Sequence, residues 1–232
     1  MISTRNSPIG VIDSGIGGLS MLKELAKSHP TENYIYFADN AYMPYGSKSA
    51  RSIKVRLLHL CNYLVNEFNV KLIILACHTA SAVGLDYLTK QLNVPIFGLN
   101  LDKWTIGEYR IICTKLTNKY YLNSNAVACN NLAKEIEDNY FDASILNRKI
   151  MNIISKANIT EPNIVLGCTH YELVAKKFKK LFPDKNFILP CKQFVKELNF
   201  VKTSSTSKGD VLMISTLPTK AYIDKLWKIL NN

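Results

Sequence analysis

No stretch of about 18 uninterrupted apolar residues occurs in the 232-residue chain, so no segment is expected to cross a membrane as a helix. The N-terminal MISTRNSPIGVID lacks a basic segment leading into an apolar core and a small-residue cleavage site. That argues against a secretory signal and makes the cytoplasm the expected location. The cysteines at 61, 77, 113, 129, 168 and 191 include no CxxC pair, and in a reducing compartment they are expected to be free thiols. No Gly/Ser-rich linker divides the chain. Acidic residues are few, with 18 Asp and Glu against 29 Lys and Arg, giving a formal charge of +11. Such an excess can bind phosphates. The lysines are dispersed, however, and the densest cluster, AKKFKK at 175–180, suits the solvated face of a helix. Nucleic acid is therefore not the expected partner.

What the chain does have is alternation. Short β-branched runs at 9–13, 34–39, 72–76, 95–99, 110–113, 126–129, 163–167, 186–189 and 211–215 read as strands. Helical patterns fill the intervals at 18–28, 50–68, 80–92, 131–139, 145–157, 171–181 and 219–230. Within 50–68, Ile53, Leu57, Leu60, Leu64 and Phe68 fall on or near one face. Continuous apolar strands between helices imply parallel sheets covered on both faces, so the fold class is α/β.

Sheets of this kind place their chemistry beyond the carboxyl ends of the strands. That rule selects DSGIGG after the first strand, NAYMPYGSKS after the second, CHTAS after the third, TKLTNK after the fifth and CTHYE after the seventh. Two of these match: IILACHTASAV from Ile73 and IVLGCTHYELV from Ile164 each run from an apolar strand through a cysteine and a Thr/His pair into a helix. The match suggests a duplication, with two half-domains facing across a cleft that carries Cys77 on one side and Cys168 on the other.

Each motif allows a plain reading beside a functional one. DSGIGG has neither the GxGxxG spacing of a dinucleotide fold nor the GK[ST] of a phosphate-binding loop. It can hold an anion on backbone N–H groups, or Asp13 and Ser14 can simply cap a helix. The turn at Pro44, Tyr45 and Gly46 can grip a carboxylate or be only a turn. A thiol in the first turn of a helix is expected to lose its proton more easily. His170 can tune Cys168, and Thr79 and Thr169 can donate to a bound carboxylate. Covalent catalysis would leave one cysteine idle. A metal site on Cys77, His78, Cys168 and His170 lacks the usual ligand spacing, so no metal is expected. The remaining option uses both thiols: one removes a proton from one face of a carbon and the other delivers a proton to the opposite face.

In that order and at about that spacing, IGVIDSGIGGLSML, YFADNAYMPYGSKS, LACHTASA and VLGCTHYEL resemble glutamate racemase. AVACNNLAKEIED at 126–138 resembles the family segment that carries a glutamate, here Glu137. GCTH favours the glutamate branch over aspartate racemases, which carry GCTE. The resemblance runs from Ile9 to about Leu189. It implies cofactor-independent interconversion of L- and D-glutamate for bacterial cell-wall synthesis. It also implies two pseudo-symmetric α/β domains with the site between them, drawn here as 1–99 plus 210–232 and 100–209. Cys77 and Cys168 would be the acid/base thiols, with Asp13 assisting the first and His170 and Glu137 the second. Asp13, Ser14, Pro44, Tyr45, Gly46, His78, Thr79, Thr117, Thr169 and His170 would contact the substrate. The expected partner is a small amino acid, with a homodimer among the assemblies allowed.

Four departures stand out. His78 replaces the family's Asn, Glu172 replaces a common Pro, PCKQ at 190–193 replaces an Asp-Ser, and the segment between Leu99 and Arg110 is short. They keep two other readings open: a racemase-like binding protein without turnover, and a racemase for another carbon acid.

Overall fold

The run Ile9–Asp13 is buried at every position and forms β1, the middle of a five-stranded parallel sheet. The structure, a computed structural model, describes residues 4–121 and 125–232. β2 (Tyr34–Ala38) and β3 (Leu72–Leu75) flank β1, and β4 (Ile96–Gly98) extends the β3 edge. The other edge is β9 (Val211–Ser215), which returns late in the chain to pair in parallel with β2, Tyr34 opposite Val211. The second sheet runs β6 (Ala126–Ala128), β5 (Tyr109–Cys113), β7 (Asn163–Gly167), β8 (Asn186–Ile188), again all parallel.

Strand alternation divides the apolar side chains between two layers. In the first sheet Ile9, Val11, Tyr36 and Ile74 pack under α1 (Leu19–Ser28) and α10 (Lys220–Asn231). Ile12, Phe37, Ile73 and Leu75 pack on the other face under α2 (Ala50–Phe68) and α3 (His78–Gln91). Fully burying a side chain of this size contributes about 1.5–3 kcal/mol. In the second sheet Ile112, Ile164 and Leu166 meet α5 (Leu132–Asn139), α6 (Ala143–Lys156) and α8 (Ala175–Leu181). The opposite face, Ile111, Cys113 and Val165, is covered by Leu101 and Trp104 from the short segment between β4 and β5. A 3-10 turn at Asp102–Trp104 lies within that segment.

Two helices were not expected, and one expected helix is divided. α4 (Lys115–Tyr120) starts at Thr114, whose side chain accepts the Thr117 N–H, and its polar sequence carries no apolar stripe. α9 (Pro190–Glu197) opens on proline, which reads as a turn residue yet suits a first helical position because its N–H would be unpaired there. The pattern at 171–181 resolves into α7 (Thr169–Leu173) and α8, separated by Val174, whose φ of −110° and ψ of 23° leave helical geometry. Among the described residues no helix is long and apolar enough to cross a membrane.

Candidate active site

Cys77 and Cys168 occupy the same place in the two sheets. Each is extended, each follows the carboxyl end of a strand flanked on both sides, and each is the residue preceding a helix, α3 and α7 respectively. Burial dominates both thiols. It pushes Cys77 up to about 12, with Asp13's charge adding and the N–H groups of Ala80 and Thr79 and the Ser14 hydroxyl opposing. Cys168 is also pushed up, first by burial and then by the charge of Cys77. The expectation that a helix start would make these thiols more acidic is thus overturned. The N–H groups act in the expected sense, but loss of water outweighs them. That Cys77, Cys168 and Asp13 influence one another electrostatically places them in one neighbourhood.

Asp13 follows from β1's position beside β3. Its Oδ1 accepts the Gly15 N–H at 2.9 Å, and its Oδ2 accepts the Thr169 hydroxyl at 3.1 Å, joining the two sheets' strand ends. Fully buried, its carboxyl is raised above the usual range by desolvation, against the opposing charge of His170 and its hydrogen bonds.

His170 and Glu137 form a buried pair, Nε2 to Oε2 at 2.8 Å. Glu137 Oε2 also accepts the Ile16 N–H at 2.9 Å, and Oε1 accepts the Tyr222 hydroxyl at 2.9 Å. Burial would raise Glu137, but His170, Ile16 N–H and Lys225 together hold it below its ordinary value. Burial would lower His170, but Glu137 and Asp13 hold it above. The two directions agree on a carboxylate–imidazolium pair. Gly17 leaves the ring its room: a Cβ there would stand 2.2 Å from Nδ1.

The polar rim spans both halves. Thr79, Thr114 and Thr117 join their hydroxyls at 2.9–3.0 Å, with Thr79 from α3 and the others from the start of α4. Tyr45 spends its hydroxyl on Asp39 Oδ2 at 2.7 Å, and Arg56 holds the same carboxylate. Gly46 lies against Thr114, where a Cβ would stand 2.5 Å from the threonine's own. Pro44, Gly46 and Ser47 on one side and Thr114, Lys115, Asn130, Asn131 and Lys134 on the other line a cavity of about 320 Å³ between the halves. His78 is buried, and among the described residues neither ring nitrogen has a hydrogen-bond partner. Two of the sequence departures meet: the Cys191 N–H lies 3.1 Å from both carboxylate oxygens of Glu172. Among the described residues no group of three or more His, Cys, Asp or Glu is placed to hold a metal.

The structure therefore bonds Asp13 to Thr169 and Glu137 to His170, the two residues that follow Cys168, and links Thr79 with Thr117. Sequence reasoning missed Tyr222 and Lys225, which reach Glu137 from α10. No local signal marks them, since an amphipathic C-terminal helix looks the same whether or not it touches a site. Thr114 lay in a stretch singled out by its position after β5, but it was not chosen.

No protein-family model matches the chain. A glutamate racemase from Sulfurihydrogenibium sp. (strain YO3AOP1) is 30% identical over 246 aligned positions, covering 96% of this chain and 93% of that protein. The crystal structure of glutamate racemase from Campylobacter jejuni subsp. jejuni is 27% identical, covers 97% of this chain and 98% of its own, and superposes with a TM-score of 0.81. Glutamate racemase from Francisella tularensis subsp. tularensis SCHU S4, solved in complex with D-glutamate, is 26% identical with the same TM-score, covering 99% and 95%.

Proposed function

The chain belongs to the glutamate racemase family, and from that premise we propose that it interconverts L- and D-glutamate by passing the Cα proton between Cys77 and Cys168. The supporting observation is the matched placement of two buried thiols at equivalent strand-to-helix junctions, within electrostatic reach of each other.

One thiolate takes the Cα proton, and the electron pair of the C–H bond passes into the adjoining carboxylate. The opposing thiol then donates its proton to the other face, so the centre inverts and the charge moves from one sulfur to the other. A buried thiolate is a strong base, which the weakly acidic Cα–H requires. Asp13 accompanies Cys77, and the Glu137–His170 pair accompanies Cys168. Ser14, the Pro44–Tyr45–Gly46 turn, His78, Thr79, Thr117 and Thr169 contact the substrate, their N–H and hydroxyl donors stabilising charge that develops on the carboxylate. The chemistry draws on no pyridoxal phosphate. Residues 1–99 plus 210–232 and 100–209 are taken as the two domains, because each range then holds one sheet. The product would supply peptidoglycan synthesis in the cytoplasm.

The test is α-proton exchange of L- and D-glutamate in D2O, followed by NMR without added pyridoxal phosphate, with optical rotation reporting racemisation. Wild-type protein should exchange and racemise both enantiomers, and Cys77→Ala and Cys168→Ala should each abolish racemisation. Absence of exchange in the wild type, or full turnover in either variant, defeats the proposal.

A further inference from the structure

Glu137 belongs to the second sheet's helix layer, yet most of its donors come from the first. Ile16, just past β1, gives its N–H to Oε2, and Tyr222, in the first turn of α10, gives its hydroxyl to Oε1. Lys225, one turn further on, donates to the Glu137 backbone carbonyl. Among the described residues only His170 reaches the carboxylate from Glu137's own half. With Oε2 held by Ile16 and His170 and Oε1 by Tyr222, both ends of the carboxylate are fixed, and the imidazole bonded to it is held in turn.

We propose that Tyr222 is a positioning residue: by donating to Glu137 Oε1 from across the cleft it fixes the carboxylate that orients His170, so the pair beside Cys168 is complete only while α10 is seated. The geometry stands on its own, and its consequence for turnover rests on the racemase reading. Tyr222 acts as a neutral donor, since burial first and then Glu137's charge keep its phenol protonated. Asp13 from β1, Tyr36 from β2 and Lys225 from α10 also face the pair, and Cys168 before α7 meets the His170 backbone N–H; Tyr222→Phe keeps all four side chains, although Tyr36 also feels the Tyr222 phenol directly.

The experiment compares Tyr222→Phe with wild type, and with protein carrying 3-fluorotyrosine at 222, a more acidic phenol and a stronger donor. His170 is titrated by NMR in the resting protein, and exchange is measured against pH in the Cys77→Ala and Cys168→Ala backgrounds. Without its donor the carboxylate becomes more basic and holds the imidazolium longer. The His170 titration should therefore move up by about half a unit in Tyr222→Phe and down in the fluorinated protein. Exchange through Cys168 should fall about 10-fold in kcat with little change in KM, while exchange through Cys77 stays near wild type. Unmoved titrations, or equal losses through both thiols, overturn the assignment. If wild type fails to exchange glutamate, the NMR titration still decides the role of Tyr222. The fluorinated protein keeps that test available should Tyr222→Phe fold poorly.

Discussion

Gly17 and His170 stand so close that a Cβ at position 17 would lie 2.2 Å from Nδ1 and 2.7 Å from the His170 backbone nitrogen. The ring could swing away from a new methyl, but the backbone contact cannot yield without shifting the start of α7, which carries Thr169 and follows Cys168. Gly17→Ala should therefore cost about 1–3 kcal/mol of stability and lower turnover by about 100-fold or more. Urea denaturation and the exchange assay check it together. A variant with near-normal turnover would show that His170 need not sit where it is found.

Glu137→Gln keeps the size of the side chain and one acceptor oxygen but removes its charge. Burial would then dominate His170, and its pKa should drop below the ordinary 6.5. The sign follows from linkage. A histidine raised in the fold contributes stability that is present below 6.5 and lost as pH rises through its folded value, so the variant should lose that contribution. Exchange through Cys168 should fall about 100-fold, and its limb on the pH profile should move to lower pH. Thermal melts and pH–rate profiles of the two proteins provide the comparison. An unmoved limb would mean His170 is not the group that titrates there.

All nine strands among the described residues were legible because each is a compact apolar run closed by turn residues, and parallel burial leaves little else such runs can be. The thiol junctions were legible because chemistry gathers at the carboxyl ends of those strands. What the sequence did not show was the balance of opposing effects at one atom. A helix start lowers a thiol's pKa and burial raises it, and only coordinates reveal that Cys77 is dry enough for burial to prevail. Partners distant in sequence were equally hidden: Tyr222 reaches Glu137 across 85 positions, and Glu172 meets Cys191 by a fold in which a proline begins a helix.

His78 directly follows Cys77, and among the described residues its two ring nitrogens have no partner. Burial pushes it down to about 3, so the folded protein keeps it neutral. An unfolded chain takes up a proton near 6.5, so stability is lost as pH falls from about 6.5 toward 3, by about 1.4 kcal/mol per unit. His78→Asn should remove that loss. Its stability relative to wild type should climb as the solution is acidified through this range, as read from denaturant midpoints at successive pH values. A constant difference between the two proteins would show that His78 is protonated in the fold.

Glu172 carries the opposite slope. Desolvation pushes its carboxyl up to about 8, against the hydrogen bonds from Cys191. The folded protein keeps this proton where the unfolded chain, near 4.5, gives it up. Its contribution is therefore fully present below about 4.5 and lost as pH rises toward 8, again about 1.4 kcal/mol per unit. Between about 4.5 and 6.5 the His78 and Glu172 slopes cancel. Glu172→Gln retains an oxygen for the Cys191 N–H but no longer titrates, so it should gain on wild type steadily from pH 4.5 to 8. Asp13, also raised by burial, titrates alike in both proteins and drops out of the difference. Combining Glu172→Gln with His78→Asn should remove both slopes at once. If instead the single Glu172→Gln variant tracks wild type at a fixed offset across that range, the carboxyl is already ionised in the fold, and the α9 N-terminus, not the lost water, governs it.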